Sequence, residues 1–164
     1  MKAERGNVWG FTQFADDLRN EVGGKVSVMG IYLNDLIVNG PAPVMLPKLV
    51  ILVHYYENIN TIDSDLVFKV SFPGVPNDDA LPILEQTYKR TDLPKLDPAQ
   101  EAALRADEGD EPFYYLRVPF ILAPFPILAE GQIKVRCHYD DGSVLKLGRL
   151  ALNLRKPTSA PTAS

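Results

Sequence analysis

A chain of 164 residues is long enough for one sizeable core and short for two independent domains. Its composition, 46% hydrophobic and 23% charged, is that of a globular protein, and a net charge of −4 leaves no excess of cations to track a phosphate backbone. No run of eighteen apolar residues exists to span a membrane, and the single cysteine, Cys137, excludes an internal disulfide framework. The opening MKAERGNVWGF lacks an apolar segment of signal-peptide length, so a reducing, cytoplasmic setting is expected.

In chain order, Val8 to Phe14 reads as a first strand with Trp9 and Phe11 on one face, followed by a turn or short helix over Asp16 to Glu21. A helical reading competes, because Phe11, Phe14, Leu18 and Val22 are spaced by three, four and four, with Gly23-Gly24 as a stop. From Val26 to Tyr32 both alternating sets are largely apolar, the pattern of a central strand. Leu36 to Val38 is a short apolar run that Asn39-Gly40-Pro41 ends, and Lys48 to Tyr56 is a β-branched and aromatic strand. Leu66, Phe68, Val70 and Phe72 alternate with Lys69 and Ser71, and Ile83 to Tyr88 is a further strand.

Between Asp92 and Glu111 seven acids stand against two bases, Lys95 and Arg105, a local charge of −5. The rest of the chain is close to neutral, so no broad basic face and no nucleic-acid partner are expected. Within that segment Asp97-Pro98-Ala99-Gln100 has capping-box chemistry and starts a short helical excursion near 97–106. Phe113 to Phe120 returns to strand. Pro119, Pro124 and Pro126 then demand an edge strand or a crossing between sheets.

The clearest element is a hairpin from Gly131 to Leu154. Ile133, Val135, Cys137 and Tyr139 face inward, opposite Lys134, Arg136 and His138, and Asp141-Gly142 supplies the turn. On the return strand Leu145 and Leu147 share one parity, and Leu150, Leu152 and Leu154 the other. Turning all five inward requires one inserted residue, with Gly148 the natural site for a bulge. Eight or nine short strands without β-helix-β alternation predict an all-β, two-sheet antiparallel β-sandwich over residues 1–155, with a barrel as the alternative. Residues 156–164, rich in Pro, Ser, Thr and Ala, read as a disordered tail.

For function the signals are sparse. Asp16, Asp17, Arg19, Glu21 and Lys25 form the densest polar cluster, whose carboxylates suit either acid-base chemistry or local ion pairs. Neighbours in a strand face opposite ways, which favours the ion pairs. His54 and His138 show no metal-ligand spacing, Cys137 and His138 point to opposite faces, and no catalytic residue, metal or cofactor is expected. Tyr56 and Tyr115 are candidate contact residues, and the proline-bearing edge with Phe125 and Ile127 is a candidate dimer surface.

The stretch DDLRNEVGGKVSVMGIY (Asp16 to Tyr32), the following LPKLVILVHY and the final PFPILAEGQIKVRCHYDDGSVLKLGRLALNL together carry a resemblance. The chain resembles a family of small uncharacterised bacterial and phage-associated proteins with a DDxRxExGGKxSxxGxY signature. Gln132 and Ile133 depart from that pattern. The resemblance implies an Ig-like or C2-like sandwich and no particular activity. The leading expectation is a non-enzymatic protein-interaction or assembly module that binds a protein partner or its own copy. The alternatives are a ligand binder or hydrolase built on Asp16, Asp17, Arg19 and Glu21, and a carbohydrate binder built on exposed tyrosines.

Overall fold

The structure, a computed structural model, describes residues 8–74, 84–93, 95, 97–100, 102–103 and 113–156. Among these residues the strands are β1 (Val8–Asn20), β2 (Val26–Tyr32), β3 (Asp35–Asn39), β4 (Val44–Leu46), β5 (Leu49–Asn58), β6 (Leu66–Ser71), β7 (Leu84–Tyr88), β8 (Phe113–Leu122), β9 (Phe125–Ile127), β10 (Gly131–His138) and β11 (Val144–Arg155). Sheet A has the order β2-β1-β5-β8 and sheet B the order β3-β11-β10-β6-β7, while β4 and β9 form a separate ribbon. The fold is an all-β, largely antiparallel sandwich. The one departure among the described pairings is β3, which runs parallel to β11.

Strand β5 shows how the layers form. Leu49, Ile51, Val53 and Tyr55 face sheet B and join the main core, whereas Val50 and Leu52 face the other way. From sheet B, Phe68, Val70, Ile133, Val135, Cys137, Leu150 and Leu152 meet them, each 2% exposed or less. Burying each such side chain contributes roughly 1.5–3 kcal/mol for the larger aliphatic and aromatic residues. Beneath one end of the core the Tyr55 hydroxyl donates to Glu57 Oε2 at 2.5 Å and lies 3.2 Å from the Tyr139 hydroxyl. Burial first, and then the bond to Glu57, pushes the Tyr55 hydroxyl far above the ordinary phenol range.

The expected bulge is present. Val135 pairs with Gly148 but Arg136 pairs with Lys146, so Leu147 has no opposite number on β10. All five leucines from Leu145 to Leu154 therefore reach the core. Gly148 serves close packing, since a Cβ there would lie 2.9 Å from the Thr12 Cβ across the sandwich. Gly10 does the same from the other side: its added Cβ would lie 2.5 Å from both the His54 carbonyl oxygen and Leu147 Cδ2. The sheets thus approach closely where β1 lies over β11. The hairpin loop has three residues rather than two, with Tyr139 N–H donating to Ser143 O at 3.1 Å and Gly142 in the left-handed region at φ +77°.

Three expectations change. First, β1 continues as strand to Asn20, because β2 pairs with Phe14–Asn20 and holds it extended. The helical spacing of Phe11, Phe14, Leu18 and Val22 has no helix behind it. Second, β2 is an edge strand of sheet A, partly to fully exposed, since among the described residues no strand lies outside it. Third, Pro119 lies on edge strand β8 as its chemistry requires, but the Pro126 strand β9 covers the core and is not an open edge surface. Residues 98–100 and 102–103 are helical, and Asp97 and Gln100 bond reciprocally as a capping box, at 2.8 and 3.1 Å. The remainder of 97–106, most of the acidic segment, Ile83 and the tail beyond Lys156 lie outside the described residues. Among the described residues no helix is long and apolar enough to cross a membrane.

Two substitutions on one strand are expected to act in opposite directions. Gly10→Ala forces a side chain into backbone and should lower stability by about 1–3 kcal/mol. The Thr12 hydroxyl is buried without a hydrogen-bond partner among the described residues, so Thr12→Val should raise stability by about 1 kcal/mol. Urea-unfolding midpoints at unchanged slope would measure both.

Candidate functional site

The polar cluster at the end of β1 resolves into separate structural contacts. Asp16 accepts the Tyr32 hydroxyl from β2. Gly30 lies beside it at φ +67°, where any Cβ would collide with the Asp16 carboxylate. Burial, and then that hydrogen bond, pushes the Tyr32 hydroxyl up to about 12. Asp17 is bound by other partners: Lys48 Nζ at 2.5 Å, Arg19 Nε at 2.9 Å and the Leu18 N–H at 2.9 Å. Gly23 and Gly24 turn the chain at φ +81° and +76°, and the Glu21 N–H donates to Lys25 O at 2.8 Å. Glu21 and Lys25 themselves are exposed at that turn. The residues of the motif therefore lock a hairpin, and the carboxylates of Asp16 and Asp17 go to different partners.

Hydrogen bonds from Lys48, and next from Arg19, hold the Asp17 carboxyl at about 2. Such a group remains ionised near neutrality and is a poor proton donor or acceptor there. Among the described residues no three His, Cys, Asp or Glu side chains group as metal ligands. A carboxyl depressed below its ordinary 3.8 adds stability that is complete above that value and is lost as pH falls toward 2. Asp17→Asn is accordingly expected to destabilise the protein near neutrality, with the gap from wild type closing between about pH 4 and pH 2. Urea midpoints of the two proteins across that range would show it; a gap independent of pH would refute the clasp.

The outer face of sheet A is different in kind. Trp9 on β1 lies opposite Tyr56 on β5, which lies opposite Tyr115 on β8. Their rings form a stack, with centroids 3.9 Å apart at 7° for Trp9 and Tyr56, and 4.8 Å at 28° for Tyr56 and Tyr115. One row along, Phe11 stacks on His54 at 4.5 Å and 9°. His54 is hydrogen-bonded at both nitrogens, to the Tyr115 hydroxyl at 2.8 Å and to Gln13 Oε1 at 3.0 Å. Since the amide oxygen only accepts, Nε2 carries the proton and Nδ1 accepts from Tyr115. Burial, and then the neighbouring Arg117, lowers the affinity of His54 for a second proton.

Further along the same face a row of Ile31, Ala15, Val50 and Ile121 crosses all four strands. Six large side chains on this face, Trp9, Phe11, Ile31, Phe113, Tyr115 and Ile121, are each 42–53% exposed. A contiguous apolar sheet face of this kind is characteristic of a contact surface. Its rings stand against one another and present mainly their edges, whereas a sugar stacks on exposed ring faces.

Of the expected contact residues, Tyr115 is exposed and Tyr56 partly so. Phe125 and Ile127 are not a surface: they are 4% and 1% exposed. Strand β9 pairs with β4 and turns both residues into the core, where Phe125 packs on Phe72. Cys137 is buried and His138 faces outward, as the hairpin parity predicts. Trp9, Phe11, Ile31, Phe113 and Ile121 were not among the expected contact residues, although the shared parity of Trp9 and Phe11 was legible. What the linear pattern does not contain is the register that sets them beside Tyr56.

Cations do group locally on the other sheet. Lys69, Lys134, Arg136, Lys146 and Arg149 gather on the outer face of sheet B through the pairing of β6, β10 and β11. Net charge reports a sum, and the register decides where its members sit. Comparison with protein-family models, curated proteins and solved structures finds no match to this chain.

Proposed function

We propose that the protein is a non-enzymatic interaction module whose contact surface is the outer face of sheet A. The observation that carries this reading is the set of six half-exposed apolar side chains on β1, β2 and β8 of that sheet. The occupant proposed is a second copy of the chain, packed sheet A on sheet A. A two-fold face of this kind is self-complementary, and two stacked sheets bury their facing side chains as a new core. The separate engagement of Asp16 and Asp17 supports a structural role for the hairpin motif over acid-base chemistry. Placement in a small bacterial and phage-associated family, and in the cytoplasm, belongs to the same proposal.

The test is the mass in solution. Sedimentation equilibrium across the micromolar range is expected to show a dimer, and Trp9→Arg combined with Ile121→Lys is expected to leave a folded monomer. These two changes place charges in the centre of the contact, which should weaken association at least a hundredfold, or about 2.7 kcal/mol. A wild-type protein that stays monomeric throughout would reject self-association through this face.

A further inference from the structure

We propose that His54 makes the association of two copies through sheet A sensitive to pH, so that mild acid releases them from each other. The device rests on the self-association proposed above and names the proton as its regulator.

His54 stands in the middle of the contact face. It lies on β5, an inner strand of sheet A, opposite Phe11 on β1 and Arg117 on β8. Its ring is stacked between those of Phe11 and Tyr115, with centroids at 4.5 Å and 6.0 Å and tilts of only 9° and 18°. A second copy laid on this face covers the imidazole together with the rings around it.

The neutral ring is satisfied there. Nε2–H donates to Gln13 Oε1 at 3.0 Å, and Nδ1 accepts the Tyr115 hydroxyl at 2.8 Å. A proton added at Nδ1 turns that acceptor into a donor, and the Tyr115 hydroxyl must reverse and send its own hydrogen elsewhere. The new charge also stands across the strand pair from Arg117, and like charges directly opposed in a sheet repel. Arg117 lies on edge strand β8, from which its long side chain reaches the rim of the contact. The short imidazole on β5 has no such exit, so between two sheets its charge loses its hydration.

Among the described residues, the charged or titratable groups facing His54 are Arg117 and Tyr115 from β8 and Tyr56 from β5. From β1 it meets Phe11 and Gln13, and neither titrates. The β1 acids Asp16 and Asp17 lie roughly 16–20 Å along the strand from Phe11 and are engaged by Tyr32, Lys48 and Arg19. Glu57 is buried on the core side with Tyr55.

Burial, and then Arg117, already lowers the proton affinity of His54 below its ordinary 6.5 in a single copy. Covering the ring lowers it further, so the dimer binds fewer protons than two separate copies. Association therefore has its full strength above the single-copy value and weakens as pH falls through it. With one proton taken up per copy, Kd rises by up to about a hundredfold per pH unit in that window.

Sedimentation equilibrium at about pH 7.5, 6.5 and 5.5, with far-ultraviolet circular dichroism at each, tests this. The wild-type Kd is expected to rise at least about tenfold from the highest to the lowest pH, with the β signal constant. His54→Gln keeps hydrogen bonding and His54→Phe keeps the stack, but neither side chain titrates. Each variant is expected to change its Kd less than about threefold over the same range, whereas His138→Gln should retain the wild-type dependence. A wild-type chain that is monomeric even at the highest pH rejects the contact itself, and the switch with it. A dimer whose Kd is independent of pH overturns the switch alone. It is equally overturned if both His54 variants keep the wild-type dependence, if neither associates at any pH, or if the β signal is lost on acidification, which would mark unfolding.

Discussion

The sandwich depends on how closely β1 approaches β11. Gly10 and Gly148 remove the side chains that would hold the sheets apart, and Leu147 and Thr12 fill the space that remains. The bulge beside Gly148 makes this contact compatible with a continuous core, since it turns leucines on both sides of the break to the interior. A regular strand in its place would send Leu150 and Leu152 into solvent, forfeiting several kcal/mol of burial. The same inserted residue changes the outer face, because it brings Lys146 and Arg149 to the same side. One irregularity thus shapes both the interior packing and the exterior charge.

The two faces of the molecule have opposite characters. Sheet A shows solvent stacked rings and aliphatic side chains, while sheet B shows it cations in opposed pairs. The first arrangement is unfavourable for an isolated monomer through its exposed apolar area. Departures of this sort from a well-solvated surface tend to coincide with binding. The Asp16–Tyr32 hairpin, by contrast, is internally satisfied. Its glycines and hydrogen bonds account for the density of polar residues that makes it resemble a reactive site in the linear chain.

How much was legible in the sequence follows from the range of the forces involved. The final hairpin, its bulge, and the inward placing of Cys137 were readable because period-two alternation is a local property of the chain. The edge position of β2 was not, since an apolar strand looks the same whether or not another strand lies outside it. Phe125 and Ile127 were misplaced because proline argues about backbone pairing and says nothing of what β9 covers. The aromatic stack needed the pairing of β1 with β5 and of β5 with β8, at separations far beyond any local pattern. The grouping of cations on sheet B needed the inserted residue as well as the pairing. Lys134 and Arg136 were readable as outward, but their partners on β11 become visible only after the shift is counted.

The order of strands in sheet B carries a consequence for synthesis. Its centre is built from β10 and β11, the last strands of the fold, whereas β3, β6 and β7 lie outside them. Strand β3 pairs in parallel with Ala151–Arg155, more than a hundred residues further on. While the chain emerges from the ribosome, β3 has no neighbour to accept its hydrogen bonds, and β6 and β7 have only each other. Sheet B forms in one late event once the C-terminal hairpin is available, a high-contact-order step of the kind that proceeds slowly. Until then Phe68, Val70 and Leu36 lack most of the surface that covers them, so the nascent chain passes through a stage in which its future core is open to chaperones or to its own neighbours.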